Sequence, residues 1–155
     1  MITVERSAEL EEFGREGRRR FEAGDEAWFE QTTAHGEVSS FGTAAEEQSR
    51  GREAVLALTR EEIRQMSEAA GLEIGETSEG GEDFLEAYQA GDAGWIVTHS
   101  RFTFEDGSWV ANRVVNVLAR DPDDGGWKWV LTTSQLLVPN ELLQLGSPLL
   151  SRPET

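Results

Sequence analysis

The first half of the chain has apolar residues at the three- and four-residue spacing of amphipathic helices. In the first segment, Leu10, Phe13 and Phe21 fall on one stripe together with Gly14 and Gly17. Glutamates fill its first turn and arginines its last, which is the order that the helix dipole favours. Because a glycine inside a helix costs about 1 kcal/mol relative to alanine, we expect another backbone to approach this stripe closely.

Two more helices are predicted in the same part of the sequence. Asp25 is placed to cap the second helix, and His35-Gly36 is a stop signal. The third helix extends from Arg52 to Ala70, where the apolar positions keep helical spacing. A short strand is predicted between these two helices, at about residues 37–43.

Beyond Gly71 the hydrophobic pattern changes toward the two-residue period of strands. A weaker candidate strand lies near residues 84–89. Three long candidates follow, rich in β-branched and aromatic residues and without internal proline, at residues 95–104, 109–120 and 127–138. Helices followed by an antiparallel meander indicate an α+β fold, with the N-terminal helices packed on the sheet.

The chain length predicts one domain. A chain of 155 residues can bury a core without disulfides, and we assign residues 1–145 to a single domain. The remaining residues, 146–155, contain two prolines and are expected to form a frayed tail.

The connection between the first two long strands predicts which residues share a face. If Asp106-Gly107 is a two-residue hairpin loop, Ser100 lies opposite Arg113 and Thr98 lies opposite Val115. Arg113 then falls in the middle of an apolar face that the helices should cover. A buried guanidinium needs a partner, which could be an internal carboxylate, backbone carbonyls or an acidic ligand.

The last long strand adds polar and aromatic groups to the same face. Placing Trp127 and Trp129 inward leaves Lys128 outside and puts Thr133 and Gln135 beside Arg113. Tryptophans here are either core packing or the walls of a pocket for a flat, apolar ligand. The predicted ligand-binding residues are Arg113, Ser100, Thr98, Trp109, Trp28, Trp129, Thr133 and Gln135.

The opposite face of the sheet is too apolar for a free surface and too polar for a core. Aromatic residues and arginine are enriched at subunit interfaces, so this face is predicted to form a homodimer contact. A register slip of one residue would exchange the two faces, moving His99 inward and Arg113 outward. The predicted interface residues are Trp95, Val97, His99, Arg101, Val110, Asn112, Val114 and Asn116.

Composition excludes several classes of function. Thirty acidic residues against 14 basic ones give a net charge of −16, which opposes binding to nucleic acids and to anionic membranes. No apolar run approaches the ~20 residues of a membrane span, so we expect a cytoplasmic protein. The absence of cysteine excludes thiolate nucleophiles, iron–sulfur clusters and cysteine zinc sites.

Acid–base and cofactor signals are weak. His35 and His99 are the only histidines, and they lack the spacing of metal ligands, so no metal site is predicted. No glycine-rich phosphate loop is present, and no cofactor is expected. His35 is a weak candidate for an acid–base residue; alternatively, it only hydrogen-bonds at the end of its helix.

Short motifs along nearly the whole chain resemble one superfamily. They are Phe21-x-x-Gly24-Asp25-x-x-Trp28, Phe41-Gly42-Thr43 leading to Gly51-Arg52-Glu53-Ala54-Val55, Gly91-Asp92-Ala93-Gly94-Trp95, Arg113-x-Val115-x-Val117-Leu118, Gly126-Trp127-x-Trp129-Val130 and Val138-Pro139-Asn140. In this order and spacing they resemble the nuclear transport factor 2-like superfamily, specifically its SnoaL-like branch. The resemblance implies a cone-shaped fold, a curved antiparallel sheet around a cavity, and a homodimer packed through the sheet.

The resemblance does not specify a reaction, because the superfamily includes isomerases, polyketide cyclases, dehydratases and epoxide hydrolases beside binding and association modules. Relatives often place a His-x-Ser near the end of the last strand, where this chain has Thr133 and Gln135. The inward carboxylate of the isomerase and cyclase relatives also has no clear counterpart on the long strands.

Three functions therefore stay open. The first is binding of a small apolar, carbonyl or carboxylate ligand in the cavity, with Arg113 as its polar anchor. The second is an isomerase, cyclase or dehydratase that uses His35 or a helix carboxylate as base. The third is a dimeric association module with a filled core.

Overall fold

The computed structural model describes residues 1–43, 46–68, 73–75, 84–103 and 109–137, which form three helices and eight strands. The helices are α1 (Ala8–Glu22), α2 (Glu26–Thr32) and α3 (Arg52–Glu68). The strands are β1 (Glu5–Arg6), β2 (Ser39–Phe41), β3 (Gln48–Arg50), β4 (Glu73–Gly75), β5 (Leu85–Ala90), β6 (Ala93–Thr103), β7 (Trp109–Arg120) and β8 (Trp127–Leu136). The predicted Asp106-Gly107 loop, the Val138-Pro139-Asn140 motif and the tail lie outside these residues.

All eight strands belong to one sheet. Its order is β1-β5-β6-β7-β8-β2-β3, and β4 pairs with β6 beyond the end of β5. The long strands β6, β7 and β8 are antiparallel to one another, as predicted, whereas β2 runs parallel to β8. The α+β cone with helices on a curved sheet is therefore confirmed, but the sheet is mixed rather than purely antiparallel.

The helix ends follow local capping chemistry. The Ser7 hydroxyl accepts a hydrogen bond from the Leu10 amide at 3.3 Å, and the Asp25 carboxylate accepts one from the Trp28 amide at 3.1 Å. α2 ends before the predicted His35-Gly36 stop, because the Ala34 amide already donates to the Trp129 carbonyl of the sheet at 2.9 Å.

The core lies between α1 and the helix-covered face of the sheet, which we call the inner face. Its buried residues are Leu10, Leu85, Ala87, Ile96, Leu118 and Trp127. A Cβ atom on Gly14 would lie 3.2 Å from Leu85 Cδ1, and one on Gly17 would lie 3.2 Å from Trp129. The two helix glycines thus admit close neighbours, which are side chains rather than the predicted backbone.

The predicted register between β6 and β7 is wrong by one residue. His99, not Ser100, pairs with Arg113, and Thr103 pairs with Trp109. Five residues separate this last pair, and such an odd number shifts the pairing by one from that of a two-residue loop. The faces of β7 are therefore exchanged, and Arg113 lies on the uncovered face of the sheet, which we call the outer face.

A β-bulge in β8 makes the predicted inward orientation wrong for the second half of this strand. Leu118 pairs with Trp129, whereas Val117 pairs with Leu131, so Val130 is an extra residue in the ladder. Trp127 and Trp129 face inward as predicted. Beyond the bulge the alternation is reversed, and Thr133 and Gln135 lie on the outer face.

The exchanged faces of β7 also make part of the predicted interface wrong. Trp95, Val97 and His99 lie on the outer face, as expected, but Asn112, Val114 and Asn116 lie on the inner face. For Arg101 and Val110 only the backbone is described, and they pair with Ala111 and Phe102.

Candidate functional site

The inner face carries a row of uncharged polar side chains on the three long strands. We call this the polar row; its members are Thr98, Asn112, Asn116, Thr132 and Ser134. Each keeps part of its surface accessible although it faces the helices. The described helices therefore do not cover these residues completely.

Hydrogen bonding within the polar row is incomplete. The Thr132 hydroxyl donates to Asn116 Oδ1 at 2.8 Å, which satisfies that amide oxygen. Asn112 Oδ1 is buried, and no donor for it is found among the residues that the structure describes. An unpaired buried acceptor costs about 1–3 kcal/mol of stability. A bound molecule that donates a hydrogen bond to Asn112 Oδ1 would remove this cost.

Thr98 is the only residue of the predicted binding set that the structure places in the polar row. It lies between Leu85 of β5 and Val114 of β7, on the same face. Ser100 pairs with Asn112 and Trp109 pairs with Thr103 through their backbones, and their side chains lie outside the described part of the structure.

The predicted wall tryptophans pack against each other instead. Trp28 of α2 and Trp129 of β8 both contact the ring of Phe13, with centroid distances of 5.3 and 5.0 Å. Trp28 also meets Phe29 edge-on at 5.0 Å. This arrangement supports the core-packing alternative for both tryptophans, because their neighbours are helix side chains.

Arg113 lies on the outer face and is bound to a neutral histidine. Its Nε donates to His99 Nε2 at 3.0 Å, and the Phe84 ring stacks on the imidazole with centroids 4.2 Å apart. Burial lowers the pKa of His99, and the neighbouring guanidinium lowers it further. Gln135 pairs with Arg113 across the strands, so the predicted neighbours are close together but away from the inner face.

One acid of the described helices has a raised pKa. The Glu62 side chain on α3 is exposed on one side, yet the protein atoms around it raise the pKa of its carboxyl. The nearby Glu47 carboxylate raises this pKa further. His35, by contrast, is exposed in the connection after α2.

Sequence reasoning assigned Asn112 and Asn116 to an interface and did not single out Glu62. The two asparagines carried a usable signal: asparagine is depleted in strands, and here two of them stand four residues apart within an apolar strand. No comparable pattern distinguishes Glu62 from the other glutamates of α3.

A groove elsewhere on the surface does not qualify as a site. An open groove of about 530 Å³ lies between α1 and the start of β8, and three glutamates line it. All three are already paired: Glu9 with Arg120 at 2.8 Å, Glu12 with Arg19 at 2.6 Å, and Glu16 with Arg20 at 2.5 Å. In the described ranges, no three acidic or histidine side chains are grouped as a metal ion would need.

Comparison with known proteins identifies the architecture. No protein-family model and no curated protein sequence matches the chain. A structure of an NTF2-like protein of unknown function from Pseudomonas putida KT2440 matches with a TM-score of 0.60 and 17% identity, over 88% of this chain and 93% of that one. The chain has the nuclear transport factor 2-like fold.

Two further structures agree. A cystatin-like fold protein from Caulobacter vibrioides matches with a TM-score of 0.59 and 12% identity, over 84% of this chain and 88% of that one. A protein from Parabacteroides distasonis, described as a candidate ketosteroid isomerase, matches with a TM-score of 0.52 and 15% identity, over 80% of this chain and 84% of that one. Such low identities show the fold alone, and membership of the SnoaL-like branch stays a prediction.

The length and polarity of the helices can be compared with those of membrane-spanning helices. None of the helical segments that the structure describes is both long enough and apolar enough to cross a bilayer.

Proposed function

We propose that this protein binds a small, uncharged molecule on the inner face of the sheet, above the polar row. The observation that carries this proposal is Asn112 Oδ1, a buried acceptor for which the described part of the chain supplies no donor. A ligand hydroxyl or amide N–H would supply that donor. The side chains around it are partly accessible, which supports binding at this position.

The side chains of the polar row also favour an uncharged ligand. Its described members are amides and hydroxyls, which bind neutral groups and offer no cation to a carboxylate. Arg113, the predicted carboxylate anchor, lies on the other face of the sheet. We therefore replace the carboxylate ligand of the sequence-based hypothesis by an uncharged one that carries a hydroxyl or an amide N–H.

Binding can be tested with a panel of small cyclic alcohols and lactams, together with carboxylates of the same ring size, observed by saturation-transfer NMR. Wild-type protein should bind alcohols or lactams in preference to carboxylates. Asn112→Leu should weaken that binding at least tenfold, and Thr133→Val, an outer-face control on β8, should leave it unchanged. The proposal fails if Asn112→Leu binds as wild type does, or if carboxylates bind best and Arg113→Gln abolishes their binding.

A second candidate function is proton transfer next to a carbonyl, as an isomerase would perform it. The raised pKa of Glu62 supports it, because a carboxylate poised nearer neutral pH is a better general base. The P. distasonis protein, described as a candidate ketosteroid isomerase, has a similar fold, and this likeness supports the proposal. Glu62 would remove the proton between the carbonyl and the double bond of a β,γ-unsaturated ketone and return it at the γ carbon.

Ultraviolet absorption of the conjugated product follows this reaction with a β,γ-unsaturated cyclic ketone as probe. Turnover by wild type, lost at least a hundredfold in Glu62→Gln and kept in Glu61→Gln, would support catalysis. The absence of turnover in wild type, or equal rates in Glu62→Gln, would exclude Glu62 as the base for this substrate class.

We also propose that the chain forms a homodimer through the outer face. The described face presents half-exposed apolar side chains, including Trp95, Val97, Val115 and Leu131. Burying such a contiguous apolar area against a second copy stabilises association by about 25 cal/mol per Å² before the costs of assembly are subtracted.

A further inference from the structure

On the outer face, Arg113 has no anionic partner among the residues that the structure describes. Most arginines of the described residues pair with carboxylates; these are Arg6, Arg15, Arg18, Arg19, Arg20, Arg52, Arg60, Arg64 and Arg120. Arg113 is half-buried, and its one polar partner among the described residues is the neutral His99 ring. A guanidinium has five N–H donors, and this contact uses only one of them.

An acid lies on the same face at a related position. Glu86 is on β5 and pairs with Val97 of β6, whereas Arg113 is on β7 and pairs with His99 of β6. The two charged residues therefore lie on opposite sides of β6, two residues apart along it. Strand spacing puts their backbones about 10 Å apart across the sheet, and in the described structure the Glu86 carboxylate contacts Arg6 and Tyr88 rather than Arg113.

Glu86 is available for a further partner. One oxygen of its carboxylate accepts a hydrogen bond from the Tyr88 hydroxyl at 2.8 Å, and the other lies 3.7 Å from an Arg6 guanidinium nitrogen. A carboxylate has about four acceptor positions, so both contacts leave room for a guanidinium from another molecule. The side chain is half-buried, which would strengthen such a pair over a fully exposed one.

We propose that Arg113 of each copy pairs with Glu86 of the partner subunit in the homodimer. A two-fold axis lying in the interface, and crossing β6 between Val97 and His99, would bring each Arg113 over one Glu86. The same rotation forms both ion pairs at once, as the self-complementary interface of a symmetric dimer requires. This inference rests on the proposed homodimer and is independent of the ligand site.

The charge pattern of the face favours a second copy as the occupant. The described outer face brings its own cation and its own anion at symmetric distances from β6, and Val97 and the neutral His99 ring of β6 lie between them. A copy of the same face is thus complementary in charge and in polarity. Because the dimer contact would shield both pairs from water, they would also fix the angle between the two sheets.

Charge reversal tests this pairing by sedimentation of the full chain at several concentrations. Wild type should be dimeric, and Arg113→Glu and Glu86→Arg should each raise the dimer dissociation constant at least tenfold, because like charges then face each other. The double variant should recover most of the loss. Arg120→Glu, which breaks a pair with Glu9 at the end of β7, should leave the dissociation constant unchanged.

The outcomes separate the two proposals. A monomeric wild type overturns both the dimer and the pairing. A dimeric wild type whose double variant associates no better than the single variants retains the dimer and overturns the pairing. If circular dichroism shows that a reversed variant is unfolded, the milder Arg113→Gln and Glu86→Gln variants give the same double-mutant cycle.

Discussion

At the scale of single residues, the imidazole of His99 reports on the charge beside it. Replacing Arg113 by Met removes a positive charge 3.0 Å away, so the pKa of His99 should rise toward its ordinary value of 6.5. Burial, the larger cause of the lowered pKa, remains. Proton NMR titration measures this, and His35→Gln assigns the two histidine signals. An unchanged His99 pKa would contradict the contact.

The same residue gives a stability prediction with a definite sign. Because folding lowers the pKa of His99, the unfolded chain takes up the proton more readily, and stability is lost as pH falls below about 6.5. Arg113→Met should lose less stability over that interval than wild type. Thermal unfolding at pH 7.5 and pH 5.5 makes the comparison, and equal losses in both proteins would contradict it.

Glu62 should behave in the opposite way. Its folded-state pKa is raised, so its charge is unfavourable in the folded protein, and stability falls as pH rises above the ordinary value of 4.5. Glu62→Gln should therefore have a higher Tm than wild type at pH 7, and the difference should vanish near pH 4. Glu61→Gln is the matched control, because Arg64 lowers the pKa of Glu61 and its loss should not stabilise. A Glu62→Gln variant that is no more stable at pH 7 would contradict this assignment.

At the scale of elements, α1 docks on β6 through Gly94. A Cβ atom there would overlap Leu10 Cδ1 and lie 3.1 Å from the Tyr88 carbonyl oxygen. Gly94→Ala should destabilise the protein by about 1–3 kcal/mol, as overpacking of a core does. Leu10→Ala makes room for the new methyl group, so the double variant should lose less than the sum of the two single variants in denaturant unfolding. Strict additivity would show that the two residues do not touch.

Element positions could be predicted from the sequence because their signals are local. Capping residues located the starts of α1 and α2, and β-branched runs located β6, β7 and β8 to within a few residues. Register could not be predicted in the same way, because it depends on the length of the β6–β7 connection and on one inserted residue, Val130. A single-residue shift at each place moved Arg113 and Gln135 to the opposite face.

The candidate site could not be predicted for the same reason, because its residues depend on the strand register. Arg113 was correctly recognised as an unusual strand residue, but the face it occupies decides whether it meets a ligand or a partner. Its chain neighbour Asn112 points to the opposite side of the sheet, as alternation requires. Because of this one-residue shift in register, the inner face presents the neutral Asn112 where the sequence predicted the charged Arg113.

At the scale of the whole molecule, the two faces of the sheet are assigned to different tasks. The inner face would hold a ligand at Asn112, and the outer face would hold a second copy at Arg113. Because the sheet separates them, Asn112→Leu should weaken ligand binding without changing the dimer. Arg113→Glu should do the reverse, provided that the ligand is neutral. Sedimentation and saturation-transfer NMR on both variants test this independence, and loss of both properties in one variant would contradict it.

One spectrum tests the neutral inner-face site most directly. The side-chain N–H signals of Asn112 and Arg113 can be followed in the same ¹⁵N-labelled sample while the cyclic alcohols and lactams are added. We predict that the Asn112 amide signals shift in a saturable way and that the Arg113 Nε–H signal stays in place. A saturable shift of Arg113 with Asn112 unchanged would contradict the site and return the ligand to the outer face.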